Sequence, residues 1–259
     1  MPKRFRTAGL IIVFLAICGY AGWKAIFPSG PLPNTAEYQN LLKVTAANVS
    51  APADATDPND SLRVYAANVV HTAPFGKPFI GYGIYLGHGT IITAAHVVGH
   101  WPFFTNTRVL IAGQDLPAKV VKEGTVALID LALLSVDETR LPVSLRLRRN
   151  PLCEGAIRIG TNVAVVTPQE VTRSQIISPQ LILPKYRSRF STLITESRES
   201  GSGVFDIRRR CLLGIISRKL EKFGNREING RIVLQRMGYA GYFVPAPRIA
   251  KFIPPDFHF

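Results

Sequence analysis

The chain has 259 residues, of which 47% are hydrophobic, and its formal net charge is +14. Its basic runs contain a single aromatic residue, Tyr186, and lack the repeated aromatic interleaving of a stacking platform for single-stranded nucleic acid, so we expect no nucleic-acid partner. It contains no internal repeat and no segment of low complexity, which excludes a repeat array. Each basic run has the alternative interpretation of a solvated face that promotes solubility. These runs are Arg146–Arg149, Lys185–Arg189, Arg208–Arg210 and Arg218–Lys222.

The first segment of the chain predicts export. Residues 1–6 contain Lys3, Arg4 and Arg6, and Thr7–Trp23 follows without a charge. A basic flank before an apolar stretch stays in the cytoplasm while the chain beyond it crosses the membrane. We therefore expect residues 1–27 to be a signal peptide or signal anchor. The domain would then lie on the exported, extracytoplasmic side of the membrane.

Cleavage and retention of this segment both remain open. Its length lies between a signal-peptide core and a span of ~20 residues. Gly19-Tyr20-Ala21 offers small residues to a signal peptidase, whereas Lys24 could extend towards the lipid headgroups and leave the segment as an anchor. We favour the anchor, and therefore a membrane-tethered protein. Cys18 ends a weak lipoprotein box, but Ile17 is bulky where that box needs a small residue.

The remainder divides into a linker and one all-β domain. Residues 28–60 are rich in Pro, Asn, Ala and Asp, which predicts a linker, and residues 61–259 form the domain. Short β-branched segments separated by turn residues predict strands that close into barrels or sandwiches. Pro247 would start a short helix over Ala246–Ile253. The predicted strands are Arg63–Val70, Phe79–Leu86, Thr90–Thr93, Thr107–Ile111, Ala118–Lys122, Leu131–Val136, Asn162–Thr167, Glu170–Ser178, Leu212–Ser217, Arg231–Leu234 and Tyr239–Val244.

Three short segments supply a histidine, an aspartate and a serine in that order. They contain His96 after Thr-Ala-Ala, Asp130 before Leu-Ala-Leu-Leu, and Ser200 in Glu-Ser-Gly-Ser-Gly. A serine hydroxyl needs an imidazole to take its proton and a carboxylate to orient that imidazole. Asp130 lies in an apolar run, so its carboxylate should be paired. A metal couplet of His96 with His100 lacks a third ligand, so we expect no metal and no cofactor.

These segments together resemble the trypsin-like serine peptidases of the chymotrypsin fold, in which His, Asp and Ser follow one another along the chain. The resemblance covers residues 62–253 and implies two six-stranded antiparallel β-barrels joined by Leu141–Pro151. It also implies a serine endopeptidase that acts on polypeptide substrates. His96 would be the general base, Asp130 would orient it, and Ser200 would attack.

One position departs from the family pattern. The family has glycine two residues before the nucleophile, because the N–H groups of that residue and of the nucleophile form the oxyanion hole. Here Arg198 stands at that position beside Ser200. A non-glycine residue supplies the same N–H at a cost of ~1–3 kcal/mol if it must adopt strained dihedrals. The alternative is therefore a catalytically silent scaffold that binds an anionic envelope partner. Ser202, between two glycines, is the substitute nucleophile.

The resemblance also assigns the substrate-binding residues. Ile194 and Thr195 would line the primary specificity pocket, and the strand Ser217, Arg218 and Lys219 would pair with the substrate backbone. No acidic residue stands at the pocket base, so we do not expect cleavage after Lys or Arg. Arg218 and Lys219 favour acidic or small polar side chains.

The domain contains an even pair of cysteines. Cys18 falls in the export segment, which leaves Cys153 and Cys211. In an oxidising compartment we expect these two to form a disulfide, with two buried free thiols as the alternative.

Overall fold

The computed structural model describes residues 36–50, 59–72, 79–99, 106–125, 127–181, 184–194, 200–228 and 231–257. Within these ranges no helix is long and apolar enough to cross a membrane. The predicted export segment, residues 1–27, lies outside the described residues, so its role as an anchor or signal stays a prediction.

Two closed antiparallel β-barrels of six strands each form the domain. The neighbouring strands of the first barrel are β1-β2-β3-β6-β5-β4, and those of the second are β7-β8-β9-β12-β11-β10. The two barrels therefore share one topology, although the sequence shows no repeat. The first barrel consists of β1 Ala66–Thr72, β2 Phe79–Gly87, β3 Thr90–Thr93, β4 Asn106–Ile111, β5 Gln114–Glu123 and β6 Ala132–Val136. The second consists of β7 Asn162–Val166, β8 Val171–Ile177, β9 Ser191–Ile194, β10 Gly203–Asp206, β11 Leu212–Ile228 and β12 Arg231–Pro245.

Short helices connect or flank these strands. The 3-10 helices are Asp60–Tyr65, Glu138–Arg140 and Pro179–Leu181, and the α-helices are α1 Ala36–Ser50, α2 Ala95–Val98, α3 Val143–Arg146, α4 Pro184–Arg187 and α5 Ala246–Phe252. Pro247 stands in the first turn of α5, where a missing N–H costs no hydrogen bond. The predicted all-β fold with a short C-terminal helix is confirmed.

Apolar side chains fill each barrel and also the seam between the barrels. Val69 and Leu134 lie in the core of the first barrel, and Val163 and Phe243 in that of the second. A further core combines residues of both barrels, including the fully buried Ile84 and Phe205. Full burial of such a side chain stabilises the fold by about 1.5–3 kcal/mol. The barrels are thus held together at the seam where the histidine and serine segments meet.

Helix α1 contacts both barrels, although its sequence lies in the predicted linker 28–60. The Thr45 hydroxyl accepts a hydrogen bond from the Gly113 N–H of the β4–β5 turn at 3.1 Å. The Asn48 amide donates to the Pro168 carbonyl of the β7–β8 turn at 2.9 Å. These two contacts attach the helix to one turn of each barrel.

Several predicted boundaries differ from the structure, and strands β9 and β10 were not among the predicted strands. The strand predicted over Arg63–Val70 begins as the 3-10 helix and becomes strand only at Ala66. Strands β11 and β12 pair with each other along their length as one long antiparallel hairpin. Arg218–Lys222 belongs to this hairpin, because backbone pairing with β12 outweighs the local charge of the sequence.

Candidate active site

His96 lies on α2, immediately after strand β3. Two buried alanines, Ala94 and Ala95, precede and begin the helix, and Val97 and Val98 anchor it in the first barrel. The His96 side chain is 27% exposed, so the end of its ring that points away from Asp130 can meet a ligand. The helix packs closely against β2, which explains the small residue Gly81 there. A Cβ atom at Gly81 would come within 2.6 Å of the Val97 side chain.

Asp130 holds the His96 ring. Its carboxylate is fully buried. It accepts one hydrogen bond from His96 Nδ1 at 2.8 Å and another from the His96 backbone N–H at 3.1 Å. A hydrogen bond from Nδ1 leaves Nε2 with a free lone pair, which is the tautomer that a general base needs. Burial alone would raise the pKa of the Asp130 carboxyl, but hydrogen bonds from His96 and Ser217 outweigh it and hold this pKa below its ordinary value.

Ser217 completes the environment of Asp130 from the other barrel. Its buried hydroxyl donates to Asp130 Oδ2 at 2.5 Å. The pairing register of β11 with β12 shifts between Ile216 and Arg218, so Ser217 is the extra residue of a β-bulge. A bulge redirects a side chain and leaves its backbone outside the ladder. The sequence predicts a role for Ser217 towards substrate but not its bond to Asp130, because a bulge has no signal in the local residue pattern.

The Ser200 loop is fixed against both barrels. The Ser200 carbonyl accepts the Tyr82 N–H of β2 at 3.0 Å, and the Gly201 N–H donates to the Ile216 carbonyl at 2.8 Å. Gly201 has a φ of +91°. A Cβ atom there would collide with the Tyr82 carbonyl oxygen. Only glycine fits this position, which explains the Ser-Gly pair of the sequence.

The Ser200 hydroxyl donates to the Ser217 carbonyl at 3.3 Å. Among the described residues no hydrogen bond joins it to the His96 ring. Ser217 thus contacts two of the three predicted residues, the aspartate through its hydroxyl and the serine through its carbonyl. Rotation of the Ser200 side chain about its Cα–Cβ bond changes the direction of its hydroxyl without moving the backbone.

Ser202 differs from Ser200 in exposure. Ser202 is completely buried, and its carbonyl accepts the Ile216 N–H at 2.9 Å. Ser200 is only partly buried. A nucleophile must reach a polypeptide, so burial argues against Ser202 in that role.

Several predicted site residues lie outside the described part of the chain. These are Thr195, Arg198 and His100, together with the side chains of Ile194 and Lys219. The backbone of Ile194 pairs with Ala240 at the end of β9. Arg218 is exposed on β11 and pairs with Tyr242. The oxyanion hole and the specificity pocket therefore stay predictions.

The predicted disulfide is present between Cys153 and Cys211, with Cα atoms 5.0 Å apart. It joins the chain entering the second barrel to the start of β11. The Cys153 N–H also donates to the Leu212 carbonyl at 2.9 Å. The disulfide therefore lies next to the start of β11, the strand that carries Ser217 six residues after Cys211.

Comparisons with known proteins agree with this architecture. The family model of the trypsin-like peptidase domain matches residues 81–215, which include all three segments. The active form of the Rv3671c protease from M. tuberculosis is 17% identical, with a TM-score of 0.52 over 88% of each chain. HL collagenase is 15% identical, with a TM-score of 0.57 over 76% of this chain and 96% of the other. A search of curated protein sequences gives no significant match. Since the family model covers more than half of the sequence, this chain belongs to the trypsin-like peptidase family.

Proposed function

We propose that this protein is a serine endopeptidase in which Ser200 is the nucleophile, His96 the general base and Asp130 the residue that orients the base. The observation that carries the proposal is the 2.8 Å hydrogen bond from His96 Nδ1 to a buried, ionised Asp130. It leaves Nε2 as a proton acceptor at the seam between the barrels. An aspartate in this position stabilises the imidazolium that forms during catalysis.

The proposed reaction proceeds through an acyl-enzyme. Ser200 Oγ attacks the carbonyl carbon of the scissile peptide bond while His96 Nε2 takes the hydroxyl proton. The oxyanion of the tetrahedral intermediate accepts hydrogen bonds from the N–H groups at positions 198 and 200. The C–N bond then breaks, and the Nε2 proton passes to the leaving amine. Water, deprotonated by His96, attacks the carbonyl carbon of the ester. The bond from that carbon to Ser200 Oγ breaks, His96 returns its proton to Oγ, and the acid product leaves.

The Ser200 side chain must rotate before it can attack. In the structure its hydroxyl donates to the Ser217 carbonyl, 3.3 Å away. Exposed side chains change rotamer on the picosecond to nanosecond timescale, so this step is no barrier to turnover. We infer that substrate binding favours the rotamer directed at His96, because a peptide backbone pairing with β11 competes for the Ser217 carbonyl.

We further propose that the enzyme acts on the exported side of the membrane. Support comes from the basic and apolar segment over residues 1–27 and from the Cys153–Cys211 disulfide, since disulfides persist in oxidising compartments. Its substrates would be polypeptides. Expression of the full chain followed by separation of membrane and soluble fractions tests the tether.

A second candidate function is a silent scaffold that binds an anionic partner. Two observations favour it: arginine stands at position 198, where the family has glycine, and the Ser200 hydroxyl has no hydrogen bond to the His96 ring among the described residues. Such a protein would keep the fold and the His96–Asp130 bond without turnover.

Labelling with a fluorophosphonate distinguishes the two candidates. The reagent reacts only with a serine whose hydroxyl is activated by a base. We expect wild type and Ser202→Ala to label and Ser200→Ala not to label, with all three folded by circular dichroism. Labelling that survives Ser200→Ala and disappears in Ser202→Ala would overturn the assignment. A folded wild type that neither labels nor hydrolyses a peptide would favour the scaffold.

A further inference from the structure

A cavity of about 470 Å³ lies between β5, the residue preceding Asp130, and the C-terminal helix α5. We call it the basic cavity. Ligand-binding cavities in proteins measure about 300–1,000 Å³, so its size suits a ligand. It does not include the three proposed catalytic residues. Its lining consists of Lys122, Ile129, Pro247, Arg248, Lys251 and Phe252.

Half of this lining is cationic, and none of it is acidic. Lys122 Nζ lies 4.9 Å from the centre of the Phe252 ring. Arg248 donates to the neutral Ser188 carbonyl at 3.0 Å, and no ion pair of Arg248 with a carboxylate is found among the described residues. Lys251 is exposed, one helical turn after Arg248. Three positive charges therefore share one cavity, and the described part of its wall contributes no carboxylate.

A further cation contacts the loop that precedes the cavity residue Ile129. Arg189 donates to the Ala127 carbonyl, in the loop that leads through Ile129 to Asp130. Together with Arg248 on Ser188, this contact brings Ser188 and Arg189, at the end of the basic run, against α5 and the loop. The fold thus gathers charges that are far apart in the sequence. Concentrated charge of one sign attracts ligands of the opposite sign.

The rest of the wall is apolar. Phe252 is buried, Ile129 is half-buried, and Pro247 closes the side at the start of α5. Leu128, the neighbour of Ile129, is 65% exposed. A bare inorganic anion would use the cations only. A segment with both carboxylates and an apolar side chain would use the whole lining.

We propose that the basic cavity binds an acidic polypeptide segment. Its carboxylates would contact Lys122, Arg248 and Lys251, and an adjacent apolar side chain would pack on Ile129 and Leu128. This inference goes beyond the proposed endopeptidase function and does not depend on it, because no step of binding uses Ser200. We choose a polypeptide over other anions because charge and apolar surface adjoin here.

The test measures binding of a fluorescein-labelled peptide of alternating Glu and Leu to the full chain. The Ser200→Ala variant is used so that the peptide is not cleaved. Fluorescence anisotropy gives Kd at about 0.15 M salt, where exposed charges further apart than ~8 Å are screened. The variant Lys122→Gln/Arg248→Gln/Lys251→Gln should bind roughly tenfold more weakly or worse, since it removes all three charge pairs that the proposal places in the cavity.

A matched control removes three positive charges elsewhere. Arg148, Arg158 and Arg208 are exposed and lie outside the cavity lining. Their triple change to Gln alters the net charge by the same amount and should leave Kd within about twofold. Equal weakening by both triple variants would overturn the proposal, because attraction would then come from overall charge.

Two further arms test the identity of the ligand. Inorganic phosphate at the same ionic strength, and vesicles of phosphatidylglycerol and phosphatidylcholine in equal parts, compete with the peptide. Weak competition by both supports the polypeptide. If the peptide does not bind while vesicles bind through the same three cations, the site is a membrane contact and the proposal is wrong. Fluorophosphonate labelling is independent of all these outcomes, so failure here is distinct from failure of the endopeptidase function.

Discussion

Ser217 in the second barrel donates its hydroxyl proton to Asp130 in the first, and Asp130 holds His96. The carboxylate is therefore bonded from both sides of the seam between the barrels. Its ionised state depends on their correct docking, because a buried charge without donors is strongly destabilising. Ser217 links the stability of the barrel interface to the geometry of the proposed catalytic base.

Replacing Ser217 with alanine should lower the free energy of unfolding by about 1–3 kcal/mol at pH 7, since the buried carboxylate loses a donor. The pKa of Asp130 is held below its ordinary value in the folded protein. Its contribution is thus present above the unfolded pKa of ~3.9 and is lost as pH falls through the lower folded pKa. The difference between wild type and Ser217→Ala should therefore shrink below about pH 4. Urea unfolding followed by circular dichroism measures it.

Ser202→Ala is the matched control for the pH dependence measured with Ser217→Ala. Ser202 is equally buried, and the hydrogen bonds that hold Asp130 come from His96 and Ser217. Any destabilisation by this change should not depend on pH between 3 and 7, a range we choose to span the ordinary carboxyl pKa of about 3.9. The same pH dependence in both variants would show that Asp130 is not its source.

Replacing Gly201 with alanine should destabilise the protein and abolish fluorophosphonate labelling. The φ of +91° costs about 1–3 kcal/mol for a residue with a side chain. The new Cβ atom would also collide with the Tyr82 carbonyl oxygen. The loop must shift, and Ser200 shifts with it. Urea unfolding and labelling of the same sample give both readouts.

Gly155→Ala separates backbone strain from collision. Gly155 also has a positive φ, of 81°, but a Cβ atom there meets nothing within 4 Å. We expect Gly155→Ala to lower the free energy of unfolding only by the amount that the strained backbone costs, and to label normally. If Gly201→Ala were as stable and as reactive as Gly155→Ala, the close contact of the Ser200 loop with β2 would be refuted.

Much of the fold and the site could be predicted from the sequence because those features are local. His96, Asp130 and Ser200 each sit in a short segment of distinctive composition, and the Cys153–Cys211 pair follows from the parity of the cysteines in the domain. Ser217 could not be assigned to Asp130, since its role depends on a bulge that only pairing with β12 creates. The docking of α1 was missed for a similar reason: its partners, the turns at Gly113 and Pro168, are distant in sequence.

Loss of the disulfide should weaken the second barrel. Cys153 and Cys211 are separated by 58 residues. Closing a loop of that size in the unfolded chain stabilises the folded state by about 4 kcal/mol in the chain-entropy account. The double variant Cys153→Ser/Cys211→Ser should therefore unfold at lower urea concentration. Adding reductant should shift the wild-type midpoint towards that of the double variant and leave the variant unchanged. A midpoint of wild type that does not move once reduction is verified by alkylation would contradict the prediction.

Replacing Arg198 with glycine should raise turnover if the backbone at that position limits the oxyanion hole. Glycine adopts the required dihedrals without the cost of a side chain. The gain is bounded by the value of one oxyanion donor, about 2.7–4 kcal/mol, or on the order of 10²–10³ in kcat. Hydrolysis of an ester and of a peptide substrate measures it.

Arg198→Ala is the control, because it removes the charge but keeps the Cβ atom that restricts the backbone. Equal gains in both variants would assign the effect to charge. If wild type, Arg198→Gly and Arg198→Ala are all folded and none of them hydrolyses either substrate or labels with a fluorophosphonate, the endopeptidase proposal fails and the scaffold is the better account.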